Sequence, residues 1–92
     1  MDKSIHSAQY ATFLKTFQEA RRRKSITQVD LAERVGETQS FISKCERGER
    51  RIDLVELRTF CAAMDIPLNE FVLRFQRMLK RDIDGQPVKR RS

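Results

Sequence analysis

Apolar residues recur along this chain every three to four positions, and each run of that spacing predicts an amphipathic helix. Tyr10, Phe13, Leu14, Phe17 and Ala20 make the first stripe, so a helix is expected over residues 7 to about 23, behind a polar, flexible start at residues 1–6. Thr27 with Asp30 three residues on has the pattern of a helix start, and Leu31, Ala32 and Val35 mark one apolar face. Gly36 then stands where a left-handed residue commonly ends a helix. Thr38 is placed to cap a third helix reaching Glu46. Asp53 with Glu56 opens a fourth, striped by Leu54, Leu57, Phe60, Cys61 and Met64. Pro67 suits the first turn of a fifth helix, because its missing N–H would be unpaired there anyway. Leu68, Phe71, Val72, Phe75, Met78 and Leu79 give that helix an apolar face wider than one small core needs, which suggests a partner, the alternative being a core that absorbs these side chains. From Arg81 the pattern stops, with Asp82, Gly85 and Pro87 opposing helix, and a basic tail is expected over residues 81–92, either solubilising or weakly attracted to phosphate.

The third helix carries the candidate chemistry. With Gln39 set at 0° and about 100° per residue, Ile42 and Cys45 fall near 300° and 240°, while Ser43, Arg47, Ser40 and Lys44 fall between about 40° and 140°. One face is therefore narrow and apolar, and the opposite arc holds only amide, hydroxyl and cationic groups. Those are the groups that read base edges and hold phosphates, and an ordinary solvated face usually mixes in carboxylates. Gln39 suits a bidentate pair with adenine, Lys44 donation to guanine, and Ser40 either kind of base. Phe41 on the flank of the arc has two readings, contact with a thymine methyl or packing on the preceding helix. Arg47, Arg50 and Arg51 are candidates for the DNA backbone, and Glu37, just before the third helix, is a carboxylate that phosphate would repel.

Charge supports a polyanionic partner without specifying one. Lys and Arg number 19 against 13 Asp and Glu, a net charge of +6 with a pI near 9.9. Arg21 to Lys24 close the first helix where cations favour the dipole, and for Arg22, Arg23 and Lys24 solvent exposure or long-range attraction to phosphate is the second reading. Ninety-two residues suit one domain, and no apolar run approaches the roughly 20 residues of a membrane span. No apolar signal segment opens the chain, so a cytoplasmic, nucleoid-associated protein is expected. Cys45 and Cys61 stand at apolar helix positions and read as core thiols, with redox sensing as the lesser alternative.

At Thr27 and Gln28, Leu31 and Ala32, Gly36, QSFIS over residues 39–43 and ERG over residues 46–48, the sequence resembles the helix-turn-helix family of the phage repressor and Cro type, also called XRE-like. The resemblance spans residues 10 to about 79, with its marks in order and at family spacing. The run QSFISKCERGERRIDLVEL is similar to a subgroup of small single-domain bacterial regulators. It implies an all-α, compact five-helix domain of the lambda-repressor type over residues 7–80, with the helix-turn-helix at helices 2 and 3. It also implies a structural ion pair between Arg21 and Glu46, phosphate contacts from Thr27, Gln28 and Ser43, and a loop at Arg50 and Arg51 passing the DNA backbone. Two-fold pairing through Phe71, Val72, Phe75, Met78 and Leu79 of the fifth helix would make a homodimer on a palindromic operator, acting most simply as a repressor.

No Ser-His, Cys-His or metal-ligand constellation is available, since the single histidine, His6, lies in the N-terminal stretch. No enzyme, cofactor, metal site or small-molecule effector is expected. The competing reading is an antitoxin-like interaction module that uses the fifth helix to cap another protein.

Overall fold

A computed structural model describes the backbone of residues 3–84 and the side chains of residues 8–82. Five helices follow in order: α1 (Lys3–Arg23), α2 (Gln28–Val35), α3 (Gln39–Glu46), α4 (Leu54–Ala63) and α5 (Leu68–Asp84). No strand occurs among the described residues.

The helix boundaries follow from local chemistry. At α2 the Thr27 hydroxyl accepts from the Asp30 N–H at 3.0 Å, while the Asp30 carboxylate accepts from the Thr27 N–H at 3.1 Å. That backbone bond, then the hydroxyl, holds the exposed Asp30 carboxyl below its usual range. Thr38 accepts from the Phe41 N–H at α3, and Asp53 and Glu56 repeat the reciprocal cap at α4. Gly36 is left-handed, φ 75°, and a Cβ there would meet nothing within 4 Å. Backbone conformation, not crowding, is what favours glycine at that turn. Ser25 and Asp65 adopt the same region, at φ 59° and 60°, at the ends of α1 and α4.

Both outer helices run further than the sequence pattern suggests. α1 begins at Lys3, four residues before the expected start, because nothing between Lys3 and Ser7 breaks helix. α5 continues through Arg81 to Asp84 because the Asp82 carboxylate is tied to α1, accepting from the Thr12 hydroxyl at 3.1 Å and pairing with Lys15 at 3.2 Å. Gly85, Pro87 and the basic end lie outside the described residues, as do residues 1 and 2.

The core gathers one stripe from each helix, with Phe17, Leu31, Ile42, Met64 and Phe71 almost fully buried. Burying side chains of this size contributes about 1.5 to 3 kcal/mol each. α1 and α5 lie antiparallel, Phe13 meeting Phe71 and Phe75 edge-on with ring centroids 5.9 Å apart in each case. This packing corrects the reading of α5 as a surplus face. Phe71 is 1% exposed and Met78 8%, so both belong to the protein's own core and neither is free to meet a second copy. Phe75 and Leu79 are half-buried, and Val72 remains exposed. Cys45 and Cys61 are buried free thiols, and burial pushes the Cys61 thiol up to about 11.

Candidate nucleic-acid interface

α3 sits on the core through Ile42 and Cys45, both 0% exposed. That anchor turns the polar arc outward, leaving Gln39, Ser40, Lys44 and Arg47 exposed and Ser43 half-buried. Phe41 does not join them. Its ring is half-buried and packed against the core, with the Arg50 guanidinium 4.7 Å from its centroid.

A chain of hydrogen bonds runs from the interior to the exposed arc. Arg21 donates to both oxygens of Glu46, at 2.7 and 2.9 Å, and to the Ile26 carbonyl at 2.8 Å. Gln28 adds a third donor to that carboxylate, Nε2 to Oε1 at 2.9 Å. The Gln28 carbonyl in turn accepts from Gln39 Nε2 at 2.6 Å. Gln28 and Gln39 are the first residues of α2 and α3, so the glycine turn brings two helix starts together and the amides meet across it. Gln18 of α1 donates to the Glu46 carbonyl at 3.0 Å and fixes the same end of α3. Sequence spacing did not reveal the Gln28–Gln39 and Gln18–Glu46 contacts. Both are between side-chain amides and groups far along the chain, and only the fold sets such distances.

The cations of the following loop are arranged differently from a free phosphate-binding set. Arg47 donates to Glu49 at 2.9 and 3.1 Å and to the Ser43 hydroxyl. Arg50 forks onto Glu56 at 2.6 and 3.0 Å and reaches the Arg51 carbonyl, which joins it to the α4 cap. That guanidinium, followed by the Asp53 N–H, holds the Glu56 carboxyl down to about 2. The Arg51 guanidinium lies 4.4 Å from the Tyr10 ring centroid, and the Tyr10 hydroxyl accepts from the Ile52 N–H. Lys44 and Ser40 form no side-chain hydrogen bond among the described residues. Thr27 is occupied by its cap, and Glu37 is exposed just ahead of α3.

The basic run at the end of α1 divides four ways. Arg21 is buried on Glu46, Arg22 leans on Gln18, Arg23 faces α5, and Lys24 donates to the Asp65 carbonyl. Among the described residues no three His, Cys, Asp or Glu side chains are grouped to hold a metal ion, and no helix is long and apolar enough to cross a membrane. The His6 side chain lies outside the described residues.

Two short helices joined by a glycine turn, the second presenting an uncharged-to-cationic arc from a packed base, define a helix-turn-helix DNA-binding unit. The family model described as helix-turn-helix matches residues 17–71. Among solved structures the chain is similar to an XRE-family like protein from Pseudomonas syringae pv. tomato str. DC3000, with 39% identity and a TM-score of 0.76. That match covers 83% of this chain and 93% of the other. A search of curated proteins gives no significant match. The chain belongs to the XRE-type helix-turn-helix family and is a DNA-binding transcription regulator.

Proposed function

We propose that this regulator reads a specific duplex sequence through Gln39, Ser40 and Lys44, with α3 lying in the major groove. The observation that carries the reading is the bonded chain from Arg21 through Glu46 and Gln28 to Gln39. A surface glutamine ordinarily loses rotamer freedom when it binds. This one is already held, with one N–H and its carbonyl oxygen still free, the donor and acceptor that adenine N7 and N6 require. The second N–H of Gln28, beside the open amides of the α2 start, would meet a phosphate. Thr27, Ser43, Arg47 and Arg51 would be the further phosphate contacts. Arg50 would contribute only by leaving Glu56.

A homodimer would place two α3 helices about 34 Å apart and select a palindromic operator. Phe71 and Met78 are unavailable to it. The surface that remains is the flank of α5 with Val72, Phe75 and Leu79, next to an apolar cleft of about 270 Å³ that Phe75 shares with Tyr10, Ile52 and Leu54. Occupying promoter DNA in this way most simply represses. An antitoxin-like partner protein on the same flank is the second reading, favoured by Leu54, which lines that cleft and is 66% accessible.

Selection of bound sequences from random duplexes, at about 150 mM salt, tests the reading. The expected result is an inverted repeat that is lost with Gln39→Ala, Lys44→Ala. On the selected site Gln39→Ala alone should cost roughly 1 to 3 kcal/mol, with little change on random DNA. No enrichment, or equal weakening on both DNAs, would remove the base-reading role and leave the partner-protein reading.

A further inference from the structure

The two flanks of α5 differ in chemistry. Taking Phe71 as 0° and about 100° per residue, Phe75, Leu79 and Val72 fall between about 40° and 100°, while Arg77, Arg81 and Arg74 fall between about 240° and 300°. The arginine flank faces α1 across a cleft of about 220 Å³, where Arg23 of α1 joins the three from α5 over a floor of Ala20 and Met78. Four arginines and a single acid, Glu19, line that cleft. Arg74 pairs with Glu70 at 2.6 Å, and Asp82, the acid next to Arg81, is taken by Lys15 and Thr12. Arg23, Arg77 and Arg81 have no ion pair among the described residues.

Helix dipoles account for Arg23 and Arg81, which stand in the last turns of α1 and α5, but not for Arg74 and Arg77 in mid-helix. Nor do they account for cations converging from two antiparallel helices. At 1.5 Å per residue, Arg74 to Arg81 span about 10 Å, a length suited to several linked phosphates and longer than one small anion needs. Guanidinium forks match phosphate oxygens in pairs. Arg23 also lies about 200° round α1 from Arg21, the residue that faces α3.

We propose that the cleft between α1 and α5 is a second phosphate-binding site, on the side of the domain away from α3. The phosphates belong to the backbone of a second duplex or to a free polyphosphate. The site does not depend on base reading by α3, and its test can be run with α3 disabled. The full chain carrying Gln39→Ala, Lys44→Ala is titrated with sodium tripolyphosphate while the arginine Nε–Hε NMR signals are followed. Arg23, Arg77 and Arg81 should shift together. Adding Arg77→Gln, Arg81→Gln should weaken binding about tenfold, the loss expected for two solvent-exposed charge contacts. These side chains are exposed, so thermal unfolding should be unchanged, which separates lost binding from lost folding. Signals that stay in place, or equal affinity in the arginine variant, would overturn the proposal. A second arm mixes two differently labelled random duplexes with the wild-type protein. Co-capture that disappears in Arg77→Gln, Arg81→Gln assigns the site to a second duplex. Tripolyphosphate binding without such co-capture assigns it to a free polyphosphate, and neither response overturns it.

Discussion

Arg21 with Glu46 and Arg47 with Glu49 are the same two side-chain types at the same end of α3, at nearly the same separation, 2.7 and 2.9 Å. The first pair is 8% and 4% exposed, and the second is 54% and 54% exposed. Around Glu46 the interior supplies two bonds from Arg21 and one from Gln28, so the carboxylate lost to water is replaced by directed donors. Around Glu49 water competes for every bond and salt screens what remains. One pair therefore belongs to the architecture of α3. The other is a resting contact that a stronger anion could replace.

The comparison breaks most visibly at Arg21. Arg21→Ala would leave the Glu46 carboxylate buried with only Gln28 beside it and should cost roughly 3 to 5 kcal/mol in urea unfolding. That is a large share of the about 5 to 15 kcal/mol available to a domain of this size. Arg21→Met with Glu46→Leu should recover most of the loss, since a buried pair can often be replaced by apolar side chains of similar volume. A double variant as damaged as the single one would mean that the pair's burial is not the cause.

Much of this contrast was invisible in the sequence, for a physical reason. Helix starts were legible because Thr27, Thr38 and Asp53 satisfy amides three residues away, and the turn at Gly36 because its φ is a local property. The outward arc of α3 was legible because 3.6-residue periodicity fixes which side chains share a face. Periodicity does not say what covers a face. Phe71 and Met78 therefore read as surplus until α1 was found packed on them. The end of α5 was equally non-local, set by Thr12 and Lys15, 70 and 67 residues before Asp82. Arg47, Arg50 and Arg51 looked alike as loop cations, and only the fold shows one on Glu49, one on Glu56 and one over Tyr10.

A middle-sized effect separates two of those cations in DNA binding. Arg47→Ala should leave unfolding unchanged and lower the slope of log affinity against log salt by about 0.9, the loss of one phosphate contact. Arg50→Ala should leave the slope alone, because its guanidinium is engaged with Glu56 and the Phe41 ring, and should instead loosen the start of α4. Equal slope changes in the two variants would show that Arg50 leaves Glu56 when DNA arrives, and the distinction between resting and structural pairs would fail at that point.

The smallest effect is the pH dependence of the Arg50–Glu56 pair, which sharpens the same distinction from the acid side. Glu56 titrates at about 2 when folded, against an ordinary value of 4.5, first because of the Arg50 fork and then because of the Asp53 N–H. The folded form therefore binds this proton less readily than the unfolded chain. The group's contribution to stability is complete above the unfolded value and is lost as pH falls from about 4.5 toward 2. Glu56→Gln removes the charge and retains a weaker cap, so the stability difference between wild type and variant should be constant above pH 5 and shrink between pH 4.5 and 2. The pair is only partly covered, so the change should also diminish in high salt, as a fully buried pair's would not. A difference that persists unchanged to pH 2 would place Glu56's role in the shape of its cap and not in its charge.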